Sequence, residues 1–376
     1  MSETIALVLG GGGARAAYQI GVLKALVQLY PRNHHIPFAI LSGSSAGAIN
    51  ATSLATHASC FHLGVKKLDW VWRHFETKKV YRSSFWDVFK HLCKMALKGL
   101  QTDKMNTDAG SLLDNSPLRQ LLNQLIDFQR IERNIGSGAL KAISIDASSY
   151  NDSHSYSFYQ AHNSVDDWQR ARRQGNRCTL TTNHLMATSA IPLVFPSIKL
   201  NQAYFGDGSV HQLSPLSSSI HLGADKIMVI NLDSPHKKPQ HEIDAHPKAA
   251  TIAGHLLDTI FSDTLNSDLE RLERINTTLD LIPGADVEMI NLRRINTLVI
   301  KPSEDLSEIA ARYYKDLPLA IRILLKFIGI DSQSDSSVVS YLLFEKAYTS
   351  ALIDLGYQDA MTQIDTFKDF FNIKTT

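Results

Sequence analysis

The residues in this chain best suited to chemistry are one serine, one aspartate and a run of glycines. Ser45 stands in Gly43-Ser44-Ser45-Ala46-Gly47, a G-x-S-x-G pentapeptide. A strand that turns abruptly into a helix exposes such a serine hydroxyl, and only small neighbours such as Gly43 and Gly47 fit the bend. That is nucleophile chemistry, and the positive end of the following helix favours a developing oxyanion. The serine needs a base, yet no Asp or Glu occurs between Glu3 and Asp69. The base must be a histidine or come from farther along the chain. Asp207 is the best candidate: Phe205-Gly206-Asp207-Gly208-Ser209 presents a carboxyl on a sharp turn, although an isolated Asp-Gly pair is most often only a turn.

The glycines open the chain, in Gly10-Gly11-Gly12-Gly13-Ala14-Arg15. Without Cβ atoms, consecutive backbone N–H groups can converge on an anion. A dinucleotide site would need an acid about 20 residues on, and the acid-free stretch removes it. A phosphate loop would need Gly-Lys-Ser/Thr, which is absent. An oxyanion hole needs only N–H donors near a nucleophile, and that reading fits. Fifteen histidines keep a Ser–His–Asp triad in view. His211, four residues past Asp207, is the one to test, against the plainer reading of a loop histidine. His236, His241 and His246 lack metal-like helical spacing, so no metal and no cofactor is expected. Asp146, at the end of an apolar run, reads as structural.

Positioning these groups takes strands that stop at glycines and helices that start there. Ile5–Leu9 is a short apolar run before the first glycines, followed by helical character over 14–29. Residues 38–41 run into the serine pentapeptide, with a helix-compatible stretch at 48–58. Two strand–glycine–helix units in succession predict an α/β fold with a parallel sheet. Further strands are expected at 142–147, 156–159, 203–205, 227–232 and 297–300. A helix is expected over 261–279, and 235–247 reads as a loop.

Composition sets the frame. The chain has 376 residues, 44% hydrophobic and 20% charged, enough for one large core or two small ones. A net charge of +1 offers no global field for nucleic acid. Cys60, Cys93 and Cys178 are scattered, which fits a reducing compartment. No secretory signal is visible, and no apolar run is long enough to cross a membrane. Two segments could touch a bilayer from the side. Residues 66–98 carry nine Lys/Arg against three acids with interleaved aromatics, either an interfacial surface or lid, or an amphipathic helix on the core. Residues 317–330 (LPLAIRILLKFIGI) read as a core helix, an oligomer contact or a membrane contact.

The blocks IALVLGGGGARAAYQIGVLKAL, GSSAGAIN, ATSAIPLVFP and Asp207-Gly208, in that order, resemble those of bacterial patatin-like phospholipases. The resemblance covers about residues 5–215. It implies a central, mostly parallel sheet flanked by helices, related to the α/β-hydrolases, with 216–376 completing the sheet and adding a mainly helical extension. It implies a serine acyl hydrolase cutting phospholipid or other acyl-lipid esters through a Ser45–Asp207 dyad without histidine. Gly11, Gly12, Gly13 and Arg15 would line the oxyanion site. A cytoplasmic protein is expected, associated with membranes from that side. Ala16 and Ser209 depart from the family pattern, which has glycine at the first position and glycine or alanine at the second. An acyltransferase or thioesterase with the same dyad, or a non-catalytic lipid-binding module, would use the same blocks.

Overall fold

The computed structural model describes residues 3–87, 90, 111–212, 214–233, 249–282, 292–327, 329–330 and 337–373. Its centre is one sheet of ten strands, eight of them in the order β10-β9-β1-β2-β3-β4-β6-β5, with β8 paired to β3 and β7 to β8 off that path. The strands are β1 (Ile5–Leu9), β2 (Ile40–Ser44), β3 (Ala142–Ser149), β4 (Ser155–Ala161), β5 (Trp168–Arg170), β6 (Arg173–Arg177), β7 (Ile198–Leu200), β8 (Ala203–Asp207), β9 (Lys226–Ile230) and β10 (Asn296–Ile300). The run from β10 through β9, β1 and β2 to β3 is parallel. Beyond β3 the sheet is mixed: β3–β4, β3–β8, β5–β6 and β7–β8 are antiparallel, and β4–β6 is parallel.

The sheet is covered on both faces, as a parallel sheet must be. Alternate residues of β1 feed the two sides. Leu7 and Leu9 join the larger apolar core, and Ala6 and Val8 join the smaller. Helices α1 (Ala17–Leu26), α2 (Ser45–Thr56) and α3 (Phe61–Arg73) belong to the larger side, as does the helix Lys346–Thr362. The smaller side is closed by the helix Thr264–Leu281 through Leu265 and Leu272.

One detail of the pairing matters most for function. β4 occupies one edge of β3 over Ala142 to Ser148. The opposite edge is shared. β2 runs along it until Ser44 stands opposite Asp146, and β8 takes over from the other direction with Asp207 opposite Ala147. β2 and β8 therefore meet end to end. Residues far apart in sequence become neighbours at that junction.

The strands expected from the sequence are present, with shifted ends: β8 extends to Asp207, and β9 covers 226–230. The short strands β5, β6 and β7 were not foreseen. The helix expected from residue 48 begins at Ser45. The helix expected from 261 begins at Thr264, after a five-residue π-helical turn, Thr259–Asp263. Residues 66–98 are described only in part. α3 packs inward through Leu68 and Trp72, while Trp70, Phe85 and Trp86 are exposed; Phe89, Leu92 and Lys94 lie outside the described residues. In 317–330 the helix Leu319–Phe327 buries Ala320, Ile321 and Leu325 and exposes Leu319, Ile323 and Phe327. Among the described residues no helix is long and apolar enough to span a membrane.

Candidate active site

Ser45 is the first residue of α2 and directly follows β2. Its φ of 51° lies in the left-handed region, which a side chain enters only at a cost. The bend is possible because its surroundings are small. A Cβ on Gly47 would lie 2.2 Å from the Leu9 carbonyl oxygen, so glycine is the residue that lets α2 cross the end of β1 this closely. The strain is held by a short relay. Ser45 N–H donates to Thr188 Oγ1 at 2.8 Å, and the Thr188 hydroxyl donates to the Asp146 carbonyl at 2.6 Å. Thr188 was not singled out from the sequence, although it lies inside the ATSAIPLVFP block.

Asp207 ends β8 and is fully buried. Burial pushes its carboxyl up to about 6; the Ser45 hydroxyl and the Ser209 N–H and hydroxyl pull in the other direction. Oδ1 accepts from Ser209 N–H at 3.0 Å. Oδ2 has no hydrogen-bond partner among the described residues. The Ser45 hydroxyl thus acts on the carboxyl as a near neighbour.

Ser44 and Ser209 link the glycine loop to this pair. Ser44 Oγ accepts from Gly11 N–H at 3.1 Å and from the Ser209 hydroxyl at 3.3 Å. The Gly11 donor is therefore engaged, which leaves Gly12 and Gly13 as candidate oxyanion donors. Gly13 lines the same cavity as Ser45. The loop is braced from below by a buried polar chain. Trp72 Nε1 donates to Asn50, Asn50 donates to Gln19, and Gln19 donates to the Gly10 carbonyl.

The Arg15 assignment needs correction. Its guanidinium, expected at the oxyanion site, is committed to the C-terminal part of the chain. Nε donates to Ser340 at 2.7 Å, Nη1 to the Tyr341 hydroxyl at 3.0 Å and Nη2 to Ser307 at 2.8 Å. Asp258 lies 3.4 Å away, and the Tyr341 ring sits under the guanidinium. Arg15 N–H is also occupied, by the Gly12 carbonyl. Arg15 is a tether.

His211 does not join Ser45. Its N–H donates to Ser148, and the charged groups that act on its ring are Asp152, Arg172 and His154. Asp146 is buried, with its carboxyl pushed up to about 7 and bonded to Ser157 and Gln212. The histidines 236, 241 and 246 lie outside the described residues. Among those described, no cluster of His, Cys, Asp and Glu could hold a metal ion.

An apolar cavity opens beside Ser45. Its walls come from α2, α3, the helix Ser116–Leu125 and the segment carrying Ile191 and Phe195. A serine at a strained strand-to-helix turn, close to a buried carboxyl and an apolar cavity, has the geometry of a nucleophile elbow in an α/β protein. A family model described as patatin-like phospholipase matches residues 7–219. The chain belongs to the patatin-like phospholipase family.

Among curated proteins, a stretch of 68 residues is 39% identical to patatin-like phospholipase domain-containing protein 7 of Rattus norvegicus. It is 38% identical to the Mus musculus protein of the same name. That stretch is 18% of this chain and only 5% of either relative. Among solved structures, VipD from Legionella pneumophila aligns over 97% of this chain and 67% of its own, with a TM-score of 0.37 and 13% identity.

Proposed function

We propose that this protein is a serine acyl hydrolase that cleaves ester bonds of phospholipids or other acyl lipids. Ser45 is the nucleophile and Asp207 its base. The observation that carries the reading is the end-to-end meeting of β2 and β8 on one edge of β3, which brings the serine turn and the carboxyl together. The family supports a lipid substrate, and the apolar cavity at Ser45 supports an acyl chain.

In the first step Ser45 Oγ attacks the ester carbonyl carbon while Asp207 takes its proton. The carbonyl oxygen becomes an oxyanion facing the Gly12 and Gly13 N–H groups and the N-terminus of α2. Collapse breaks the ester C–O bond. The leaving alcohol receives the proton from Asp207, and an acyl-serine remains. Water, deprotonated by Asp207, then attacks the acyl-serine and releases the fatty acid, and Ser45 regains its proton.

The amphipathic helix Leu319–Phe327 supports peripheral contact with lipid. Leu319, Ile323 and Phe327 recur at i, i+4 and i+8, and Phe327 is 91% exposed. Lys315, Arg322 and Lys326 flank them.

Lipid hydrolysis by wild type, Ser45→Ala and Asp207→Asn tests the reading. Fatty-acid release by wild type and a loss of at least about 10³-fold in both variants are expected. Release that survives Ser45→Ala would refute it. An alcohol acceptor added to the assay separates transfer from hydrolysis by the ester it would form.

A further inference from the structure

A second buried carboxyl lies where β2 and β8 meet, on the other side of the sheet from Asp207. Ala147 is paired with Asp207 and joins the larger core, so by strand alternation its neighbour Asp146 points to the smaller side. Asp146 is itself paired with Ser44 at the end of β2 and with Ser157 of β4. Both halves of the site lean on its backbone. Its carbonyl accepts from the Thr188 hydroxyl that holds Ser45 N–H, and a Cβ on Gly208 would lie 2.1 Å from the same oxygen.

The side chain of Asp146 has two donors. Oδ1 accepts from the Ser157 hydroxyl at 2.6 Å, and Oδ2 accepts from the side-chain amide of Gln212. Among the described residues no charged group acts on it, so these two bonds are what offset the cost of burying a carboxyl. Only one of them reaches the site. Gln212 ends the segment that begins at Asp207, and three contacts hold that segment to the sheet. Asp207 N–H donates to the Ala190 carbonyl at 2.9 Å. The Ser148 hydroxyl donates to the Gly208 carbonyl at 3.3 Å and accepts from His211 N–H at 2.9 Å. Asp146 secures the far end, through Gln212.

We propose that Asp146 is a positioning residue for Asp207: by holding Gln212 it anchors the 207–212 turn and so sets where the Asp207 carboxyl stands relative to Ser45. The inference rests on the acyl-hydrolase reading and adds to it a residue that acts without touching the substrate. With Gln212 released, the turn keeps its bonds to Ala190 and Ser148 but loses its far anchor. The carboxyl then holds its place for only part of the time, and a displacement of about 1 Å costs up to about 10²-fold in rate.

Peptide-level hydrogen exchange and turnover in wild type, Asp146→Ala, Asp146→Asn and Gln212→Met test this. Exchange across 207–212 should quicken at least about tenfold in Asp146→Ala and Gln212→Met, with β9 as protected as in wild type. In both, kcat should fall about 10- to 100-fold with KM within about twofold. Asp146→Asn should keep kcat within about threefold of wild type, because its oxygen still accepts from Gln212 while its amide turns to Ser157. Gln212→Met leaves β3 untouched and decides the matter if Asp146→Ala does not fold. Unchanged exchange at 207–212 or unchanged kcat in Gln212→Met overturns the proposal. So does exchange that rises equally throughout the sheet, the mark of a merely structural role. The exchange readout needs no turnover, so a wild type that cleaves no ester would count against the hydrolase reading alone.

Discussion

Asp207 feels two opposing pulls. Removal from water favours its neutral form, and the hydroxyl and N–H groups of Ser45 and Ser209 favour the charged one. The balance at about 6 leaves a carboxylate at neutral pH that is still basic enough to share a proton with a serine. kcat/KM should rise with pH along a limb of apparent pKa near 6 and level above about 7. Ser209→Ala removes one charge-favouring group, so the limb should move to higher pH; a pH–rate profile of both proteins checks this. The sign for stability is opposite. The folded pKa is above the ordinary value of 3.8, so the folded protein holds this proton more tightly, and stability falls as pH rises from about 4 through 6. The turn that carries Ser45 between a strand and a helix, and the turn that carries Asp207 at a strand end, were legible from residue type and spacing. Thr188 and Ser44 were not, since a hydroxyl that holds a backbone N–H leaves no pattern beyond belonging to a recognisable block. Arg15 misled because adjacency in sequence to the glycine loop does not say which way a long side chain turns.

At the scale of elements, the site depends on how closely helices and strands approach. α1 and the helix Lys346–Thr362 pack backbone to backbone: a Cβ on Gly356 would lie 2.2 Å from the Tyr18 carbonyl oxygen, and one on Gly21 would lie 2.0 Å from that of Ile353. α1 follows the glycine loop, so this contact helps fix the loop. Gly356→Ala should cost about 1–3 kcal/mol in urea unfolding through overpacking, with reduced turnover. Strands with near-continuous apolar sequence, such as β1 and β9, were legible because burial on both faces leaves no alternation to disguise. β5 and β6 were not: WQR and RQGNR carry no apolar run, and pairing rather than composition makes them strands.

For the whole molecule, the region after the family match is part of the same body. β9 and β10 extend the sheet beside β1, and Arg15 binds the loop region to Ser307, Tyr341 and Asp258. Arg15→Met should therefore destabilise the protein by about 3–5 kcal/mol, since it removes the buried guanidinium bonded to Ser340, Tyr341 and Ser307 and paired with Asp258. Thermal unfolding checks this, with the largest activity loss expected near the lowered Tm rather than at low temperature. From sequence, the parallel core could be placed because its strands end at chemically distinctive turns. The packing of the C-terminal helices could not, because it rests on surfaces rather than motifs.

The central claim is that Asp207 activates Ser45. Mass-spectrometric mapping of a fluorophosphonate adduct, followed over time in wild type and Asp207→Asn, tests it most directly. The account predicts a single adduct on Ser45 in wild type, forming at least about 10²-fold more slowly in Asp207→Asn. An adduct on another serine, or equal rates in the two proteins, would contradict it.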